Sequence, residues 1–145
     1  MFDISIKNQI LSFLLKSVKF EIDPTATTIS GINKIGSISG AGEFEIGEAT
    51  IIAMPTSGTN ISYRLSIGHI TVGIILGDDG MDDLGPIDIL ATNSEKAISY
   101  INPKIILPLS PLDYSTLKYE VKTSDKLRIK NESSLPATPE IYVLD

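Results

Sequence analysis

Between Ile61 and Leu76 the chain alternates with a period of two, turns over two residues and returns. Ile61, Tyr63, Leu65 and Ile67 fall on one face, and Ser62, Arg64 and Ser66 on the other. Successive side chains of a strand point to opposite faces, so this pattern predicts a half-buried antiparallel strand. Gly68-His69 reads as a two-residue hairpin turn. Ile70 to Leu76 is the returning, more deeply buried strand, with small residues at Thr71 and Gly73. The acidic loop Leu76-Gly77-Asp78-Asp79-Gly80 follows, just past a strand end, where open sheets usually place their chemistry.

The flanking segments read the same way. Short apolar runs at Ile4 and Ile6, Ile10 to Leu15, and Val18, Phe20 and Ile22 predict successive strands ending at Asp23-Pro24. A helix over 8–16 is the alternative, because Ile10, Leu11, Leu14 and Leu15 also fit helical spacing. Residues 25–42 are rich in Thr, Ser and Gly. Ile29, Ile32, Ile35 and Ile38 recur every third residue, but Gly31, Gly36 and Gly40 favour short strands and turns. Gly40-Ala41-Gly42 is a tight bend with no Lys or helix start behind it, so it does not read as a phosphate loop. Residues 43–54 form a strand pair about Gly47-Glu48, or one bent strand.

Beyond the acidic loop, Met81 to Leu84 fits one helical turn, ended by Gly85-Pro86, and 87–91 a short strand. Asn93 or Ser94 caps a helix with Glu95 in its first turn and Ala97, Ile98 and Ile101 as its buried stripe. Asn102-Pro103 stops it. Strands follow at 104–109, 117–121, 126–130 and 141–144, with a polar loop over 131–139. The strand–helix–strand unit at 87–109 predicts one parallel pair inside a mainly antiparallel arrangement.

The 145 residues suffice for one domain with a real core, and 42% of them are hydrophobic. No apolar run approaches the ~20 residues that span a bilayer, and 10–15 is too short for a signal segment. The sequence has no cysteine, which excludes disulfides and thiolate ligands and is compatible with a cytoplasmic protein. A net charge of −6 with scattered basic residues makes nucleic acid a poor partner. His69 is the only histidine, and at a hairpin turn with no orienting partner nearby it reads as an exposed turn residue. Asp78, Asp79, Asp82 and Asp83 could hold a hard cation weakly, but their spacing matches no known calcium loop.

In this order the motifs resemble the metallo-β-lactamase-fold hydrolases, in particular their short metal-dependent hydrolase branch. Phe20-Glu21-Ile22-Asp23-Pro24 looks like the family's early strands and their Asp-Pro, and 27–30 like the strand leading into its metal loop. Gly40-Ala41-Gly42-Glu43-Phe44-Glu45 resembles a Gly-Pro-Gly-Glu-Tyr-Glu segment, and Leu76-Gly77-Asp78 a Leu-Gly-Asp. The segments 51–56, 84–90, 101–108, 125–127 and 141–144 follow in the family's order. The resemblance implies an α+β, β-rich fold: a degenerate metallo-β-lactamase-like β-sandwich with few covering helices. It implies a single domain over 1–145 with the metal-loop region, about 30–40, shortened.

The departures bear on function. The family holds metal with a His-x-His-x-Asp-His loop, a further His, a bridging Asp and a last His, whose imidazoles suit divalent metals and activate water. Here no histidine follows Ser30, Thr56 or Pro108, and only Asp78 stays in register with a ligand. The expectation is a truncated, metal-free and cofactor-free pseudoenzyme, serving as a structural or interaction module. One alternative is a residual hydrolase or phosphodiesterase using Asp78 at a shared subunit boundary. Another is a small-ligand binding module in the old pocket, with Ser30, Thr56, Asp78 and Ser110 as its residues. With one clear helix, sheet faces would stay bare and apolar, which predicts a homo-oligomer, most simply a C2 homodimer. Residues 25–40 folding over the gap is the alternative. No membrane partner is expected.

Overall fold

A computed structural model describes residues 1–32, 36–56, 60–111 and 119–145. Among these residues the chain forms 14 strands and one α-helix. Sheet A contains β1 (Phe2–Lys7), β2 (Ile10–Leu14), β3 (Lys19–Asp23), β4 (Thr28–Ile32), β5 (Gly36–Ser39) and β13 (Leu127–Ile129), in the order β13-β1-β2-β3-β4-β5. Sheet B contains β6 (Gly42–Ile46), β7 (Ala49–Pro55), β8 (Ile61–Ile67), β9 (Ile70–Ile75), β10 (Ile89–Thr92), β11 (Ile105–Pro108), β12 (Glu120–Ser124) and β14 (Glu140–Leu144), in the order β12-β14-β11-β10-β9-β8-β7-β6. The helix α1 spans Glu95–Ile101.

The segment 8–16 is a hairpin and a strand, not a helix. Asn8 and Gln9 both take positive φ, at 53° and 65°, the geometry whose twist suits a two-residue β-hairpin. β2 then buries Leu11 and Phe13, a period of two. Phe13 stacks on Phe20 of β3 with ring centroids 5.1 Å apart. The Gly40–Gly42 bend, with Gly40 at φ 84°, carries the chain from the edge of sheet A to the edge of sheet B.

Asp23 corrects one expectation taken from the resemblance. Its carboxylate accepts the backbone N–H of Thr25 at 3.0 Å and of Ala26 at 3.1 Å, a local turn that reverses the chain. β4 therefore returns antiparallel to β3, with Thr28 opposite Asp23 and Ser30 opposite Glu21. It runs away from Asp23 instead of leading onward from it. Residues 33–35 of the region expected to be shortened lie outside the described residues, as do 57–59 and the start of the strand expected from Leu117.

The parallel part of the molecule is also larger than one pair. β9 pairs with β10, β10 with β11, β11 with β14 and β14 with β12, all parallel. β10 starts two residues later than expected, because Asp88 instead binds Thr71 on β9. Asp88 Oδ2 accepts the Thr71 N–H at 2.9 Å and its hydroxyl at 3.1 Å.

Residues such as Ile4, Phe13, Ile22, Ile51, Leu65 and Ile74 meet between the sheets and form the main core. A second apolar layer lies outside sheet B. There Met81, Leu84, Ile87, Ala97 and Ile98 cover Ile75, Leu90, Ile106 and Ile141. Ser62 is buried beneath this cover, at 1% exposure, so both faces of β8 are more enclosed than the alternation suggests. The outer face of sheet A is bare, but it is not apolar. Pairing places Ser5, Ser12, Glu21 and Ser30 side by side across it. The large hydrophobic residues exposed among the described residues are Met1, Leu14, Tyr100 and Val121. The bare apolar face that motivated the expected homodimer is therefore absent among the described residues. No helix among them is long and apolar enough to cross a membrane.

Candidate functional site

Strand direction fixes where the loops gather. A cleft lined by residues 6–9, 108–111 and 143–145 sets the β1–β2 turn beside the C-terminal ends of β11 and β14. β9 and β10 run parallel to β11. β7 shares their direction, because β8 is antiparallel to both β7 and β9. Thr56, Asp78, Ser94 and Ser110 thus lie along one rim of the sandwich, each just past a strand end.

Asp78 is exposed at this rim and is held by the start of α1. Its Oδ1 accepts the Ser94 hydroxyl at 2.5 Å. Ser94 is the helix N-cap, and its Oγ accepts the Ala97 N–H at 3.1 Å. One serine thus caps the helix and ties down the loop. Beside it, Asn93 Oδ1 accepts the Gly77 N–H at 2.7 Å, and Thr92 Oγ1 accepts the Ser94 N–H at 3.0 Å.

The rest of residues 76–88, hereafter the strap, is anchored in the same manner. Asp82 accepts a hydrogen bond from the Tyr100 hydroxyl, which raises the pKa of that phenol, with the Asp82 charge adding to the effect. Arg64, on the outer face of β8, donates to the carbonyls of Leu84 and Pro86, the latter at 2.8 Å. Gly80 sits so close to Thr56 and Ser62 that a Cβ there would collide with the Thr56 methyl. Its φ of 82° suits glycine for the same position.

The four residues singled out from the sequence do not converge. Thr56 packs against Gly80, whereas Asp78 turns to Ser94. Thr56 bonds back across its own loop, its N–H reaching the Asn60 carbonyl at 3.0 Å and its hydroxyl at 3.1 Å. Ser110 is half-buried at the same rim and lines the cleft beside the β1–β2 turn, a space of about 470 Å³. Ser30 lies in mid-strand on the outer face of sheet A, because β4 reverses at Asp23. His69 is an exposed turn residue, as expected, at the end of the sandwich opposite the rim.

The metal that the resemblance implies does not fit these donors. The rim offers hydroxyls and scattered carboxylates, and Asp78, the one that the resemblance sets at a ligand position, already accepts from Ser94. Among the described residues, no three of His, Cys, Asp and Glu gather closely enough to hold an ion. The carboxylates of the strap diverge, Asp78 toward Ser94 and Asp82 toward Tyr100. A chain with one histidine and no cysteine cannot by itself supply several soft or imidazole ligands.

Tyr63 is a feature that sequence reading only half found. The alternation places it inward, and it is fully buried. Its hydroxyl has no hydrogen-bond partner among the described residues, and neither has that of Ser62. Burial pushes the Tyr63 phenol up to about 12, with the negative charge of Asp23 contributing.

No family model matches the sequence, and none of the curated proteins matches it significantly. Among solved structures, the chain is similar to a Thermotoga maritima protein assigned by inference to the Zn-dependent hydrolases of the metallo-β-lactamase superfamily. The TM-score is 0.72 at 15% identity, over 99% of this chain and 98% of that one. At this identity the likeness shows the fold. The two chains have matching extent, so the small size is not peculiar to this protein. A mutant of CmlA β-hydroxylase matches 49% of this chain and 24% of its own at TM-score 0.37 and 11% identity, too loosely to bear on the fold.

Proposed function

On a metallo-β-lactamase fold, we propose a non-catalytic, metal-free module that acts by binding rather than by hydrolysis. The observation that carries this reading is the use made of Asp78. The resemblance sets it in register with a bridging metal ligand; in this chain it accepts from the serine that caps α1 and holds the strap over sheet B. A carboxylate serving as a structural acceptor, with no imidazole at its rim, supports a fold kept for its shape. It weighs against a residual hydrolase that depends on Asp78.

Metal content and turnover test the reading together. The protein would be expressed with added zinc, desalted and assayed for bound metal, then offered ester and phosphodiester substrates. Substoichiometric metal and no turnover are expected. Stoichiometric zinc with hydrolysis that is lost in Asp78→Ala would overturn the proposal in favour of the hydrolase.

The rim cleft of about 470 Å³ favours the small-ligand form of this module, since its size suits small molecules. Ser110 and the turn residues Asn8 and Gln9 supply neutral hydrogen-bonding groups there, and Lys7 a charge. A thermal-shift screen with nucleotides and metabolites would find such a ligand. Self-association as a C2 homodimer loses its original support, because the bare outer face of sheet A is polar. Native mass in solution at two protein concentrations decides that point.

A further inference from the structure

The end of the sandwich opposite the rim holds a cleft of about 330 Å³, within the range of small-molecule sites. Its floor is apolar and drawn from both sides of the sandwich. Phe2, Leu15 and Ile129 come from the side of sheet A, and Ile67 and Ile70 from sheet B, all nearly buried. A ligand resting there would touch both sheets at once. A second cavity, of about 430 Å³, shares Phe2, Leu15 and Lys16 and continues past the exposed Leu14 toward Arg128. Together they give an extended hydrocarbon chain room to lie down.

The mouth of the cleft is charged. Lys16, His69 and Lys130 stand exposed around it. Among the described residues Lys122, Lys126 and Arg128 each form an ion pair with a carboxylate, whereas Lys130 forms none and Lys16 acts on Glu48 only through its charge, without an ion-pair contact. Glu48 is also at the mouth, but its carboxylate accepts the Ser17 hydroxyl at 2.8 Å. That bond is the main reason its pKa is lowered. Glu132 completes the rim of the cleft as a counter-charge. The Glu48 carboxylate is already engaged by Ser17, so the ammonium groups of Lys16 and Lys130, neither in ion-pair contact, are left to attract an anionic head group.

The geometry points to a second binding site, for a small amphiphilic anion such as a medium-chain carboxylate. Its chain lies on the floor between Phe2, Ile70 and Ile129, and its head group sits between Lys16, Lys130 and His69. The site is independent of the rim and of any reading of Asp78.

Octanoate and octanol serve as probes on the isotope-labelled protein, with amide shifts followed by NMR. Octanoate is expected to shift the amides of Leu15, Ile67, Ile70 and Ile129 at sub-millimolar to millimolar concentration. It should bind more tightly than octanol, which has the same chain and an uncharged head group. Lys16→Glu and Lys130→Glu, both at exposed positions, are each expected to weaken octanoate about threefold or more while leaving octanol unchanged. Absence of shifts at these amides, or shifts confined to the rim around Ser110, would overturn the site. Octanol binding as tightly as octanoate, or octanoate binding indifferent to both lysine reversals, would overturn its chemistry. The comparison of probes on the unmodified protein does not depend on how any variant folds.

Discussion

The outer face of sheet A carries Ser5, Ser12, Glu21 and Ser30 and is bare, whereas the outer face of sheet B carries Ile75, Leu90, Ile106 and Ile141 and lies under the strap and α1. Both sheets hide one face in the same core, so each has one face left to satisfy. Sheet A does so by composition, with polar side chains that water can solvate. Sheet B does so by covering, and its cover needs anchors. Those anchors are Arg64, Asn93, Ser94 and Tyr100, and they engage Asp78 and Asp82 together with backbone groups of the strap. The loop that the resemblance marks for chemistry is thus part of a lid whose partners are structural. An apolar sheet face therefore does not by itself require a second copy of the chain. Thirteen residues of strap and one short helix suffice for sheet B.

The contrast is broken most directly by emptying the cover. Ile98 is fully buried between α1 and sheet B, so Ile98→Ala should cost about 2–5 kcal/mol in a urea unfolding curve. A loss of less than about 1 kcal/mol would mean that the cover is loose, since truncating a well-packed residue leaves a cavity.

Arg64→Ala tests the anchoring of the strap. It removes a charged donor from two carbonyls, and a loss of about 2 kcal/mol is expected. Amide exchange over 84–88 should accelerate with it, while exchange in sheet A stays unchanged. Ser94→Ala comes next, at about 1 kcal/mol, the usual scale for an N-cap. It should also free the strap near Asp78, visible as faster exchange at Gly77 and Asp78.

The smallest effects belong to sheet A. Ser30→Ala should stay within about 0.5 kcal/mol, as for an ordinary surface position. A larger loss would show that the polar face is also held by a network. Asp3 gives that face its pH dependence. Its carboxyl is hydrogen-bonded by Arg128 at 3.0 and 3.1 Å. This bond, with the charges of Arg128 and Lys126, holds it below its ordinary 3.8 against the opposing effect of burial. A carboxylate depressed in the folded state contributes stability that is present above its unfolded pKa. That contribution is lost as pH falls through the folded value. Stability should therefore decline below about pH 4, and Asp3→Asn should flatten part of that decline while lowering stability at neutral pH.

Much of the fold was legible because period and punctuation are local. The alternation at 61–67 and the Gly68-His69 turn gave β8 with correct ends and β9 to within one residue at its end. Ser94, Glu95 and Asn102-Pro103 marked α1 nearly to the residue. What could not be read was direction and partnership. Asp23-Pro24 announced a turn, but only the bonds from Thr25 and Ala26 to the Asp23 carboxylate show that β4 folds back. That reversal removes Ser30 from the rim where Thr56, Asp78 and Ser110 lie. The parallel pair β10–β11 was legible from the strand–helix–strand unit, but the other three parallel pairings were hidden, because a strand sequence does not name the neighbour its backbone will find.

Sequence alone determined that this chain is β-rich, roughly where several strands and the one α-helix lie, and that a histidine-rich metal centre is impossible with one histidine and no cysteine. These are matters of residue type and of periods spanning a few residues. The tertiary structure decided what Asp78 does. Its acceptor role depends on Ser94, 16 residues further along, and that contact exists only because β9 and β10 lie side by side and end at one rim. It likewise decided that the bare sheet is polar and the apolar sheet is covered. Which face of a strand meets solvent is set by the layer packed against it, and no strand carries that information by itself.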